Sequence, residues 1–267
     1  VAAGPRLGAR LAQAVRRRVH DPLLRLYNRR EDFDFRLRQD ELIVYHHLGL
    51  GDHFICMGLV LELADRFAQK RVHLATKRPY VGTVQALYAR APNVRILPVD
   101  PGQAEREVYA FARREGLKVA RLGFDGLDPS QWDRSFYDQA GIDFRHSWDR
   151  FDMGDVRAEA DALSVRLVES RPYMLVHADG SVGSFTLRIS GALPRVQVRP
   201  EPSPVGLLAW CRIINEAEEI HCIDSSVVHL VDRLPEVPGQ SLFLHDARKS
   251  GCRFTRRRNW HLVPYPG

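Results

Sequence analysis

The sequence predicts an α/β fold of two Rossmann-like halves preceded by a basic helical arm, and three observations predict it. From residue 41 onward, short apolar β-prone runs alternate with longer stretches at helical period, as in a parallel sheet with crossover helices. The alternation pauses at a polar stretch around 148–170 and then resumes in shortened form. Ahead of it, residues 1–39 hold ten arginines against four acids.

In the arm, residues 1–40, Leu7, Leu11 and Val15 recur every four positions ahead of Arg16, Arg17 and Arg18, which reads as an amphipathic basic helix. Such a helix either lies on an anionic membrane surface or packs as a solvated arm on its own domain. It carries no apolar core followed by a small-residue cleavage site, so it is not read as a secretory signal.

The first half, 41–147, is expected to hold strands at 42–46, 72–75, 94–98 and 118–122. Helices are expected at 52–68, at 80–90 just after Pro79, and at 103–116. Val156, Ala160, Leu163 and Leu167 fall on one face of 148–170, predicting one long bridging helix. The second half, 171–267, offers strands at 173–177, 195–198, 219–223 and 241–245, with helices at 205–217 and 225–234.

Composition narrows the class. A chain of 267 residues with 45% hydrophobic residues has enough apolar side chains for one large core or two small ones. Its apolar stretch 54–63 is broken by Glu62, Asp65 and Arg66 well short of the roughly 20 residues of a membrane span. Cys56, Cys211, Cys222 and Cys252 form no CxxC pair, which fits reduced thiols and a cytoplasmic location. The net charge of +6 favours anionic partners, whether nucleotides, phospholipid headgroups or nucleic acid.

In an open α/β sheet, ligands bind beyond the carboxyl ends of the strands. His46-His47-Leu48-Gly49-Leu50-Gly51-Asp52-His53 leaves the first strand, turns through Gly49 and Gly51, and enters a helix with Asp52 at its start. It is neither GxGxxG nor a Walker loop, and it also reads as a plain tight turn with Asp52 as the helix cap. Near the other end, Asp224-Ser225-Ser226-Val227-Val228-His229 ends a strand and opens a helix. Ser225 and Ser226 suit the cap and offer hydroxyls to a phosphate, with His229 one turn on; the alternative is an ordinary cap with a surface histidine. The loop 177–184, with Asp179, Ser181 and Ser184, holds the matching place after the first strand of the second half and reads equally as a flexible connection.

The Gly-Asp turn and the Asp-Ser-x-x-x-His helix start together resemble the heptosyltransferase-related, family 9-like glycosyltransferases of GT-B architecture. The resemblance implies transfer of a sugar from a nucleotide-sugar donor to a saccharide or lipid-linked saccharide acceptor, in bacterial surface polysaccharide assembly at the inner face of the cytoplasmic membrane. By matching position, Leu50-Gly51-Asp52 supplies the catalytic base, Asp52, with His53 the second choice. Asp224, Ser225 and His229 would bind the sugar nucleotide. Ser226 stands where the family has glycine, and no Lys-x-Trp-Pro follows the fifth strand. The phosphate contacts of that lysine are therefore expected from Arg188 or from the 179–184 loop.

No Asp-x-Asp occurs, and the histidine spacings match no zinc pattern, so neither a metal nor any cofactor beyond the nucleotide-sugar co-substrate is expected. Gly180-Ser181-Val182-Gly183-Ser184 does not fit the hydrolase elbow. Two other classes stay open. One is a non-catalytic nucleotide-sugar-binding scaffold within a larger enzyme. The other is a nucleic-acid-binding α/β protein, suggested by the N-terminal arginines and Arg256-Arg257-Arg258.

Overall fold

Strand β1 (Glu41–Tyr45) is buried at every position but its first, the pattern of a strand covered on both faces. It sits inside a parallel sheet with β2 (Arg71–Lys77), β3 (Val94–Val99) and β4 (Lys118–Arg121), in the order β3-β2-β1-β4. The computed structural model describes residues 41–66, 71–200, 202–248 and 253–265. The basic arm expected over 1–40 and Cys252 lie outside them.

The first-sheet crossovers are α1 (Leu50–Arg66), α2 (Val81–Leu87), which follows a short 3-10 turn at Arg78–Tyr80, and α3 (Ala104–Glu115). α2 stops short of the expected residue 90, because Pro92 disfavours helical geometry at Ala91. α3 ends where expected, at Gly116, whose φ of 67° lies in the left-handed region that closes many helices.

The second sheet contains β5 (Met174–His177), β8 (Arg195–Gln197), β9 (Glu219–Ile223), β10 (Ser241–His245) and β11 (Trp260–Val263), all parallel, in the order β11-β10-β9-β5-β8. Between β5 and β8 the chain makes only a small antiparallel hairpin, β6 (Asp179–Gly180) with β7 (Gly183–Ser184).

Three features depart from the sequence expectation. The sequence reading missed β11 and an aromatic helix, α4 (Trp132–Ala140). The single helix expected over 148–170 is two: α5 (His146–Asp149) and α6 (Arg157–Leu167). Gly154, at φ 69°, breaks it, and the Asp152 carboxylate accepts the Gly154 N–H at 2.8 Å in a local turn. The remaining second-half helices are α7 (Cys211–Glu216), continuing a 3-10 turn at Gly206–Trp210, and α8 (Ser226–Val231).

α1 is buried from His53 through Val60 with almost no polar face, the signature of a helix surrounded by protein. It is enclosed by the first sheet, α4, α5 and α8. Phe54, Ile55, Leu59 and Leu63 are wholly shielded, each contributing about 1.5–3 kcal/mol through burial. The Tyr137 hydroxyl donates to Ile55 O at 2.8 Å and accepts from Leu59 N at 3.2 Å, while Ser147 Oγ donates to the same carbonyl at 3.0 Å. Side chains of α4 and α5 thus engage the backbone ladder of α1 in its middle.

The two sheets belong to one compact unit, and buried polar groups tie them. Asp232, past the end of α8, accepts N–H bonds from Arg257, Arg258 and the indoles of Trp260 and Trp148. Arg233 donates to Ser147 O, Ser147 Oγ and His229 O, and Asp133 of α4 accepts Thr255 N at 2.8 Å. The arginine run 256–258 is therefore partly structural. Arg258 is buried and donates to Val231 O and Gln240 Oε1 rather than standing on a solvated face.

A Cβ on Gly58 would overlap the His146 backbone carbonyl, and neither backbone can yield without moving α1 from α5. Gly58→Ala is expected to destabilise at or above the roughly 1–3 kcal/mol of ordinary overpacking, read as a lowered urea midpoint. Gly102→Ala, which meets only an ordinary contact at 3.4 Å, should leave that midpoint nearly unchanged.

Candidate active site

Each sheet has a place where successive connections leave in opposite directions: between β1 and β4 in the first, and between β5 and β9 in the second. Such switch points open a crevice at the carboxyl ends of the strands. The elements leaving them meet at α1 and α8. A Cβ on Gly51 would lie 2.7 Å from His229 Cδ2 and 3.5 Å from Ser226 Cα, so the turn after β1 is pressed against the first turn of α8.

On the first side, Leu48 takes a left-handed φ of 61°, and its N–H donates to His46 Nδ1 at 3.2 Å. The chain then enters α1 at Gly49, whose N–H donates to Asp52 Oδ2 at 2.8 Å. Asp52 does not hold the cap position itself. It lies three residues inside and reaches back, as the acidic member of a capping box does. Burial pushes its carboxyl up to about 7; the Gly49 N–H and Lys77 pull the other way, Asp224 adds an upward push, and Arg248 pulls down. Asp52 and Asp224, 172 positions apart in the sequence, therefore feel each other's charge.

On the second side, Ser225 holds the cap position of α8, but its hydroxyl makes no capping bond. It lies 2.9 Å from His177 Nδ1, at the end of β5. This corrects the expectation that Ser225 and Ser226 cap the helix: β5 and β9 are neighbours, and the imidazole captures the hydroxyl. Arg248, just past β10, donates to Asp224 O at 2.9 Å and to Ser181 Oγ at 3.5 Å. Ser184 Oγ donates to Asp179 across the hairpin. His229 is not a surface residue; it is buried against Phe254 and Trp132, with Nε2 3.9 Å from Asp224 Oδ1. Burial, then Arg233 and Arg248, hold its pKa well below the usual histidine range, so it packs as a neutral ring.

The structure brings Gly49, Gly51, Asp52, Asp224, Ser225, Ser226 and His229 together where α1 meets α8, with Ser181 joined through Arg248. It does not bring His53 there in a working position. His53 is fully buried, neither ring nitrogen has a hydrogen-bond partner among the described residues, and burial followed by Lys77 drives its pKa down to about 3. Of the two candidate bases only Asp52 keeps contact with solvent. Arg188 stacks on Tyr265, its guanidinium 5.1 Å from the ring centre and its N–H on the Tyr265 hydroxyl.

Sequence reasoning missed Lys77 and Arg248 as members of the site, and placed His177 in the candidate loop without giving it a role. Lys77 ends β2 and Arg248 follows β10, and a carboxyl-end position was the available signal. Among the described residues no group of three His, Cys, Asp or Glu side chains is placed to hold a metal ion.

No family model and no curated protein matches the sequence. Among solved structures, the chain is similar to a glycosyl transferase family 9 protein from Veillonella parvula DSM 2008, at 10% identity and a TM-score of 0.47, covering 86% of this chain and 88% of that one. It is also similar to the E. coli heptosyltransferase WaaC, with ADP-2-deoxy-2-fluoro heptose (12% identity, TM-score 0.44) and with ADP (11%, 0.43). Both cover 85% of this chain and 93% of that one.

The electrostatics are open to direct measurement. The Asp52 carboxyl should titrate near pH 7 by carboxyl-carbon NMR, and Asp224→Asn, which removes a repelling charge, should move it downward. A folded value above the ordinary 3.8 means the native state binds the proton more tightly. The associated stability is thus full at low pH and lost as pH rises from about 4 to about 7. Asp52→Asn should flatten that slope; a titration near 4 would contradict the burial of the group.

Proposed function

We propose that this chain is a glycosyltransferase of the GT-B type, moving a sugar from a nucleotide-sugar donor to a saccharide or lipid-linked saccharide acceptor. One observation carries the reading. A carboxyl raised to about 7 by burial, Asp52, lies within the fields of Asp224 and Arg248, where α1 and α8, leaving the switch points of two parallel sheets, meet. The Leu-Gly-Asp and Asp-Ser-x-x-x-His motifs that suggested the family in sequence lie on the two sides of that contact.

In this mechanism the acceptor hydroxyl oxygen attacks the anomeric carbon. The bond from that carbon to the phosphate oxygen breaks, its electron pair leaving with the nucleoside diphosphate, and Asp52 takes the acceptor's proton. A base with a pKa near the working pH suits the task, because it is substantially ionised and still holds a proton well. Lys77 on the first half and Arg248 on the second supply positive charge beside the crevice, which favours the phosphate that develops as the bond breaks. The reading assigns donor binding to Asp224, Ser225 and Arg248 and acceptor activation to the first half. We place the activity in bacterial surface polysaccharide assembly at the inner face of the cytoplasmic membrane. No helix among the described residues is long and apolar enough to cross a membrane.

The first test is a thermal-shift screen against UDP, ADP, GDP, dTDP and CMP. A ligand at a hundredfold excess over its Kd adds about 2.7 kcal/mol, several degrees for a domain of this size. One nucleotide should raise the midpoint of the wild type and of Asp52→Asn, and do so weakly or not at all for Asp224→Ala. Asp52→Asn should then lose about 10²- to 10⁴-fold in transfer rate, and transfer should survive a chelator. If none of these nucleotides shifts the midpoint, the transferase reading fails and a salt-sensitive nucleic-acid affinity becomes the one to measure.

A further inference from the structure

His177 closes β5, and its Nδ1 holds Ser225 Oγ at 2.9 Å. Its Nε2 makes no hydrogen bond to the described residues and is not sealed in the core. Three chain segments deliver anion-seeking groups to this spot: His177 after β5, Ser225 after β9, and Arg248 after β10, the last bonded to both Asp224 O and Ser181 Oγ. His177 and Arg248 thus both bond the Asp224-Ser225 segment, and an imidazole with a hydroxyl on one nitrogen can hold a phosphate oxygen with the other once it carries a second proton.

We propose that His177 is a phosphate-binding residue that takes up a proton from solvent when the donor's diphosphate binds, coupling donor affinity to pH. The inference rests on the transferase reading and deepens it.

In the free protein, burial pushes the His177 ring down to about 4, opposed only by Asp179, so it is neutral between pH 6 and 8. The charged group that acts on the ring is Asp179 on its own loop; Asp224 and Arg248 flank Ser225, which the ring bonds. An arriving phosphate places negative charge beside the ring, and an opposite charge within about 4–6 Å raises such a value by roughly 1–3 units. A shift at the upper end of that range makes the bound ring imidazolium at pH 6, donating one N–H to Ser225 Oγ and the other to the phosphate.

The nucleotide's own secondary phosphate titrates near pH 6, so the decisive quantity is the difference between wild type and variant. Isothermal titration calorimetry at pH 6, in two buffers of different ionisation enthalpy, would use the nucleoside diphosphate that shifts the melting midpoint. Wild type should take up more protons than His177→Asn. Relative to His177→Asn, wild-type affinity should fall as pH rises from 6 to 8, by up to about tenfold per pH unit for a full proton. Ring NMR of wild type gives the same answer without a variant, the His177 signals moving to imidazolium values on nucleotide addition. A nucleotide that binds while the ring stays neutral overturns the His177 role alone. Failure of every nucleotide to bind overturns the transferase reading and this inference together.

Discussion

The approach of α1 to α8 at Gly51 sets the distance on which the other features of the crevice depend. With a Cβ position 2.7 Å from the His229 ring, any larger side chain at 51 would push the helices apart. His229 has little room to retreat, being buried against Trp132 and Phe254. The contact is sustained from behind: Arg233 bonds the carbonyl of His229 and both oxygens of Ser147, while Ser147 and Tyr137 bond Ile55 O on α1. The two switch points are thus locked mouth to mouth by a buried polar network, and a satisfied network of this kind fixes geometry more sharply than apolar packing.

Closing that distance organises the charges. Asp52 and Asp224 are brought within each other's field, which alone would favour protonation. Lys77 and Arg248 offset part of the repulsion, and the Gly49 N–H offsets more. Burial, the largest influence, outweighs these and raises the Asp52 carboxyl to about 7, while the buried His53 and His229 stay uncharged. Position decides the roles: Asp52 and His53 are adjacent in sequence, yet one borders the opening and the other faces the core.

Much of the architecture was legible in the sequence because it rests on local signals. The apolar runs of β1, β5, β9 and β10, the glycine ending α3, and the Gly-Asp turn all act over a few residues, and backbone geometry responds to them directly. β11 was not legible, since Trp260-His261-Leu262-Val263 is too short to read as a strand without β10 beside it. The expected bridging helix failed because its apolar spacing, Val156 to Leu167, belongs to α6 alone, and ahead of it the left-handed Gly154 separates α6 from α5.

For the site, the sequence by itself determined the two motifs, Leu50-Gly51-Asp52 and Asp224-Ser225 with His229, and the strands that carry them. Only the tertiary structure decided that these motifs face each other and that Lys77, His177 and Arg248 join them. It also decided that Ser225 serves His177 rather than its own helix, and that His53 is sealed in the core. The physical reason is that turn and cap preferences are set by neighbours in the chain. Burial, ionisation and charge pairing are instead set by neighbours in space, which come from elements dozens to hundreds of residues apart.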